Sequence, residues 1–403
     1  MTAALALILQ QPTLRLIAVL IALTGAINAS LYPYQSLIAI DRIGMSEGHY
    51  ALVLLLASVA GVVAAVVAGV ISDQRANRRM VALVTAAAGV AGPVLMLVSP
   101  GPLALVLCHG LLIPMSGSLF WQCFAMARLV CADRPDQRDA VLAVIRSLMS
   151  LAFLGVLVAW SLAFARGIGV MAVYDLGAVG ALTILGLIWW VWPKDGQTHW
   201  PDRPSGLSLN QSLREIAKRP VLLRVIVLGA ITSGSALYMV LISLVLSAAP
   251  GRGPSDVALF VGLVAGFEVP SMLLMPRLLG FASRNWLIAG GAICFAAFLL
   301  LIPILAPTPA IWALPILAGL AGGATLTLPI GYLQDLMDGR PGAGSALMSV
   351  QKVTADTICA TVFAAGAGFT GFYTTAAMGA LVVLAGAVLL LLVDRPSYRM
   401  VAR

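Results

Sequence analysis

Glu268 stands in a stretch, Ser255 to Phe281, that is otherwise largely apolar. A carboxyl group taken out of water holds its proton more tightly, so it can gain and lose one near neutral pH. Arg146 and Lys352 have comparable surroundings, and Asp356 lies one helical turn beyond Lys352 on the same face. Cations so placed can bind hydroxyls or an anionic group, or they can snorkel toward a polar boundary along their apolar stems. Lys352 and Asp356 can also simply neutralise each other. Asn28, Tyr32 and Gln35 recur at helical spacing, and Trp121 with Gln122 and Ser235 with Tyr238 form further polar islands. Amides and hydroxyls beside an aromatic face suit a polyhydroxylated ring; hydrogen bonds between helices are the plainer use of the same groups.

Other chemistries find little support. Five cysteines (Cys108, Cys123, Cys131, Cys294, Cys359) lie in or beside apolar runs without a Cys-x-x-Cys pair, and the three histidines are far apart. Neither a disulfide nor a metal site nor a cofactor is expected. No Ser-His or Cys-His pairing falls within the apolar runs, which argues against an enzyme.

Twelve apolar runs must position these groups, and each matches a bilayer's hydrocarbon thickness. They are Arg15 to Ile40, Gly48 to Ser72, Arg79 to Val98, Pro102 to Val130, Arg138 to Ala165 and Gly169 to Trp192, then Val221 to Ser247, Ser255 to Phe281, Asn285 to Ala306, Pro309 to Leu336, Gly342 to Gly368 and Gly371 to Val393. Hydrophobic residues make up 61% of the 403 and charged residues 10%, against about 25% charge in soluble domains. Lipid cannot satisfy open backbone groups, so the runs are predicted to be helices of an all-α membrane protein. By the helical rise, Glu268 lies about 20 Å into run eight, Arg146 about 12 Å into run five and Lys352 about 15 Å into run eleven. A charge at such depth costs roughly 2.5–3.5 kcal/mol on insertion scales, so each should face a partner or a wet cavity.

The polar stretch Pro193 to Pro220 divides the runs six and six, and Leu207 to Ile216 within it could form a surface helix. The predicted domains are residues 1–192, a cytoplasmic linker 193–220, and residues 221–403. With the N-terminus inside, the inner loops and tails hold 19 Lys/Arg and the outer loops hold three, Arg42, Arg166 and Arg252. Positive residues stay on the cytoplasmic side, so both termini are predicted there. The net charge of +8 is therefore a topology signal, and no nucleic-acid partner is expected. Sliding the chain by 206 residues lays Tyr32 on Tyr238, Arg78 on Arg284, Arg134-Pro135 on Arg340-Pro341 and Arg146 on Lys352. Parallel six-helix repeats mark one transporter architecture, with the substrate site between the repeats.

After run two comes Gly69-Val-Ile-Ser-Asp73-Gln-Arg75-Ala-Asn-Arg78-Arg79. It resembles the Gly-x-x-x-Asp-Arg-x-x-Arg-Arg signature of the major facilitator superfamily, with Gln74 between the Asp and the Arg. The resemblance implies a cytoplasmic latch made by Asp73, Arg75, Arg78 and Arg79. Phe124-Ala-Met-Ala-Arg128, Arg146-Ser-Leu-Met-Ser-Leu-Ala, Ala265-Gly-Phe-Glu268-Val-Pro270, Tyr332-Leu-Gln334-Asp335-Leu-Met and Gly344-Ser345-Ala346 resemble the sugar efflux transporter family, in order and across nearly the whole chain. In that family the fifth helix tends to carry Gly-Pro-Pro; Gly155 to Ala163 has no proline.

The resemblance implies two six-helix bundles of the major facilitator fold. It implies proton-coupled export of sugars or related small polar solutes by alternating access, from a monomer in the bacterial inner membrane. Its partners would be the solute, protons and the bilayer. Glu268, with Asp356, is then the proton carrier. Asn28, Tyr32, Gln35, Trp121, Gln122, Arg146, Ser235, Tyr238 and Lys352 are the cavity candidates. Gln334 and Asp335 join the gate, and Asp41 is a gate or surface group. A multidrug/proton antiporter and uptake of a sugar or organic acid are the alternatives. Gly89-x-x-Ala-Gly92-Pro93 and Gly319-x-x-Ala-Gly322-Gly323 are expected to be close-packing sites.

Overall fold

A computed structural model describes residues 2–35, 38–75, 78–195, 198, 200, 211, 214, 217–252, 254–337, 340–367 and 372–394. Twelve long helices account for nearly all of them: α1 Pro12–Leu31, α2 Glu47–Arg75, α3 Arg78–Val98, α4 Pro102–Val130, α5 Pro135–Ala165, α6 Val173–Val191, α7 Arg219–Ala248, α8 Pro254–Leu278, α9 Arg284–Leu305, α10 Leu314–Leu336, α11 Pro341–Ala367 and α12 Phe372–Val393. A short helix, Thr2–Gln10, precedes them and packs on α1 and α5, burying Ala4, Leu7 and Ile8. The proposed surface helix Leu207 to Ile216 lies largely outside the described residues.

Eleven of these helices are long and apolar enough to cross a membrane, and the chain is a multi-pass membrane protein. α11 has the length but is not among the eleven; it carries Lys352 and Asp356 together with Gln351, Thr354 and Thr357. A helix this polar must share its burden with protein or water rather than lipid on that face.

Two expected helices are interrupted, each for a reason visible in the sequence. α1 ends at Leu31 and gives way to a 3-10 turn, Tyr32–Tyr34, short of the predicted Ile40. Pro33 causes this: it has no N–H to give, and its ring would strike the carbonyl four residues back. α4 contains a π turn, Cys108–Leu112, directly before Pro114. The π turn absorbs the hydrogen bond that Pro114 cannot make, and such bulges recur at functional sites.

The chain divides into two compact units, residues Met1–Ile216 with Leu333–Val350, and residues Ala217–Tyr332 with Gln351–Arg403. In the first, α1 packs on α5 and α6, α3 on α6, and α4 on both α2 and α3. In the second, α7 and α9 pack on α12, matching α1 and α3 on α6. The α1–α5 crossing is so close that a Cβ on Gly25 would meet Met149 O at 2.6 Å; one on Gly229 of α7 would meet Thr354 Cγ2 of α11 at 2.6 Å.

Each unit also ties its helix ends with one aspartate beyond its last helix. Asp195 Oδ1 accepts the N–H of Arg78 at 2.9 Å and of Arg79 at 3.2 Å, satisfying donors at the start of α3. Asp394 accepts Arg224 Nε at 2.8 Å, Asn285 Nδ2 at 3.1 Å and the Tyr332 hydroxyl, joining α7, α9, α10 and α12.

Candidate functional site

The second unit holds Glu268, Asp356, Lys352, Ser235 and Tyr238. Glu268 is fourteen residues after the proline that opens α8, about 21 Å along it, and is half-buried. Its side chain lies on the glycine face of α10. A Cβ on Gly322 would stand 2.9 Å from Glu268 Oε1, and one on Gly319 would stand 2.4 Å from Phe267 Cβ. A third, on Gly323, would strike the side chain of Ser271, whose hydroxyl donates to Leu320 O at 3.1 Å. The Gly-x-x-Ala-Gly-Gly segment is thus a close-packing site, as its spacing predicts, and what it admits is the carboxyl-bearing turn of α8.

Tyr238 is buried on α7 of the same unit. Its ring sits among Phe298, Phe295 and Phe260, with centroids at 5.3, 6.3 and 6.4 Å. The hydroxyl has no hydrogen-bond partner among the described residues. Ser235, one turn earlier on α7, is half-buried.

Lys352 Nζ reaches Asp356 Oδ2 at 2.7 Å, with the side chains 66% and 35% exposed. The same turn of α11 anchors on α7 through Gln351 Nε2, which donates to Thr232 Oγ1 at 3.2 Å. Lys352 is about 16 Å from the start of α11. An exposed ion pair at that depth is far cheaper beside water than beside hydrocarbon.

The first unit holds the other candidates. Arg146 Nη1 donates to Ser150 Oγ at 3.3 Å along α5. Because α5 begins at Pro135 rather than Arg138, Arg146 is deeper than predicted, about 16 Å from the start. Asn28, Tyr32 and Gln35 do not form one stripe: past Leu31 the helical spacing fails, and Tyr32 is exposed while Gln35 is buried. Trp121 is half-buried against Phe120, edge to face at 4.5 Å. Gln122 is buried, and its Oε1 lacks a partner among the described residues.

The gate candidates fall into two groups. Asp73 and Arg78 form an ion pair of 3.0 Å, each side chain 2% exposed. Arg78 Nη1 also donates to Ser72 Oγ at 3.4 Å. The other oxygen of Asp73 accepts the N–H of Ala343 at 2.7 Å, in the first turn of α11, where the helix dipole favours a negative charge. Asp335 takes Arg128 at 2.7 Å and Arg138 at 3.2 Å. Gln334 beside it is fully buried, and a Cβ on Gly344 would stand 2.8 Å from Gln334 Cα. Arg79 turns elsewhere: it donates to Trp189 O and lies 5.9 Å from the Trp189 ring. The side chains of Arg75 and Asp41 lie outside the described residues.

Sequence reasoning found the acids here but missed their partners. Arg128 and Arg138, the Ala343 N–H and Asp195 each lie more than 100 residues from the groups they hold. It also missed His109, whose Nε2 lies 2.8 Å from the Tyr174 hydroxyl in the core of the first unit, at the π turn. A lone histidine inside its run, five residues before Pro114, was the available signal.

Comparison with known proteins adds the family. Residues 135–353 match the family described as the Major Facilitator Superfamily. A Deinococcus radiodurans protein named "Putative sugar efflux transporter" is 27% identical over 361 residues, covering 87% of this chain and 90% of that protein. Three solved structures share the fold. The human organic anion transporter MFSD10 (TETRAN) is 17% identical with a TM-score of 0.66, over 94% of this chain and 99% of that one. A variant of the nucleoside transporter NupG is 13% identical with a TM-score of 0.69, over 96% and 100%. FucP, in the outward conformation, is 11% identical with a TM-score of 0.67, over 96% and 100%.

Proposed function

Because this chain belongs to the major facilitator superfamily, we propose that it exports a sugar or related small polar solute, by alternating access driven by protons. It is a transporter and not an enzyme. The observation that carries proton coupling is Glu268, a carboxyl deep in α8 that α10 admits through Gly319 and Gly322. A group in that place changes charge with little steric cost, and Tyr238 and the charged turn of α11 belong to the same unit. Sugar export is supported by the name of the D. radiodurans relative and by the sequence blocks that resemble that family.

In this reading Asp356 shares the coupling with Glu268. Arg146, Lys352, Tyr32, Gln122 and the remaining polar islands contact the solute. Asp73–Arg78 and Asp335 with its arginines hold the inner gate. The chain works as a monomer in a bacterial inner membrane with both termini in the cytoplasm, its repeats being residues 1–192 and 221–403 around the linker 193–220.

Everted vesicles containing the protein test this. An added sugar should dissipate an imposed proton gradient, and Glu268→Gln should abolish gradient-driven accumulation while leaving solute exchange intact. Dissipation by lipophilic cations but by no sugar would replace the solute with a drug-like one. Undiminished driven transport in Glu268→Gln would remove that residue from coupling.

A further inference from the structure

Arg340 precedes Pro341 at the start of α11, in the segment Leu333–Val350 that belongs to the first unit. Two anchors fix its position. Five residues upstream, Asp335 takes Arg128 and Arg138; three residues downstream, Ala343 gives its N–H to Asp73. Between them the Arg340 main chain is fully used, its N–H donating to Met337 O at 2.8 Å and its carbonyl accepting the Gly344 N–H at 3.0 Å. The residue is 9% exposed, yet among the described residues neither Nε, Nη1 nor Nη2 has a hydrogen-bond partner.

The other arginines at these anchors are matched. Arg78 has Asp73, and Arg128 and Arg138 share Asp335. The turn itself does not require burial, because Arg134, which precedes Pro135 at the corresponding place in the repeat, is exposed. A guanidinium cannot escape by losing its proton. Buried without a counter-ion among the described residues, it bears the desolvation cost with no attraction from them in return.

We propose that Arg340 is an anion site that takes a phosphate group. Its planar fork of donors matches two phosphate oxygens at once, and the positive end of α11 adds to the same field. Asp73 already fills the first turn of that helix, so the fork itself is the site. It lies just beyond the end of the membrane-spanning α10, the level at which lipid phosphates are found. A lipid headgroup and free inorganic phosphate offer the same chemistry.

Melting of the purified full chain in an uncharged detergent decides it. Inorganic phosphate is compared with chloride at equal ionic strength, and phosphatidylglycerol with diacylglycerol of the same chains. A phosphate-bearing probe should raise the wild-type midpoint by roughly 5 °C, the scale of a near-saturating ligand. Arg340→Met should not respond, and Arg340→Lys, which keeps the charge without the fork, should respond less. A rise with phosphatidylglycerol alone assigns the headgroup; a rise with inorganic phosphate as well assigns a free anion. A wild type that ignores both probes, or a Met variant that responds as wild type does, overturns the proposal. If the Met variant fails to fold, an undiminished response in Arg340→Lys overturns it equally.

Discussion

Two glycines one turn apart on α10 should separate coupling from packing. In Gly322→Ala the new methyl group would stand 2.9 Å from Glu268 Oε1, 3.0 Å from Cγ and 3.3 Å from Cδ. Those atoms belong to a flexible side chain, which can move off its preferred rotamer for about 0.5–1.5 kcal/mol. Alanine also improves the helix by up to about 1 kcal/mol over glycine. The two nearly cancel, so stability should change by less than about 1 kcal/mol while the carboxyl is displaced. In Gly319→Ala the methyl group would stand 2.4 Å from Phe267 Cβ, 2.7 Å from Phe267 C and 3.0 Å from Glu268 N. Backbone cannot step aside, so α8 and α10 must part, at about 1–3 kcal/mol or more.

Reconstituted vesicles and a melting curve read both effects. Gly322→Ala should keep its melting midpoint and its solute counterflow, which needs no proton movement, but lose most gradient-driven accumulation. Gly319→Ala should melt several degrees lower and lose both activities together. If Gly322→Ala drives accumulation like wild type with an unchanged pH profile, the place of Glu268 on α10 has nothing to do with coupling. If the two variants fail alike, α10 is only a packing surface.

The remaining charges predict contrasts of the same kind. Asp73→Ala strands Arg78 in a site where both side chains are 2% exposed, and should cost about 3–5 kcal/mol in chemical denaturation. Asp335→Ala removes pairs on a carboxylate 41% exposed, and should cost no more than about 1 kcal/mol after solvent screening. Lys352→Met and Asp356→Asn should each impair transport more than the double variant does, if the two charges act as a pair; equal or additive losses would show that they act separately. Cys131, at the end of α4, is 1% exposed, and burial pushes its thiol up to about 11 against the opposing pull of Arg138 and Arg134. The thiolate is the reactive form, so maleimide should label it slowly at neutral pH in the folded protein; rapid labelling would contradict that burial.

The helices were legible because each must satisfy its own backbone, and apolar length is a local property. Most predicted ends fall within a few residues of the observed ones, and the exception at α1 traces to Pro33. The start of α5 at Pro135 was readable too, since proline favours the first helical position. Which side chains meet was not legible. Asp73 reaches Ala343 across 270 residues, and nothing near Asp73 in the chain names that partner. Helical spacing did predict the Lys352–Asp356 pair, because both partners lie on one helix.

The two units also differ chemically. α7 and α9 pack on α12 as α1 and α3 pack on α6, but Arg146 bonds a serine on its own helix whereas Lys352, 206 residues on, pairs with an acid on its own helix. The position that matches Glu268 in the first repeat is Val62. At this position only one half of the chain carries a charge. Retaining a carboxyl at that depth opposes insertion, so its presence in one repeat alone calls for a use the fold does not supply. If the proposed proton coupling through Glu268 holds, exchanging Val62 and Glu268 should fail to preserve driven transport; driven transport that survives the exchange would contradict it.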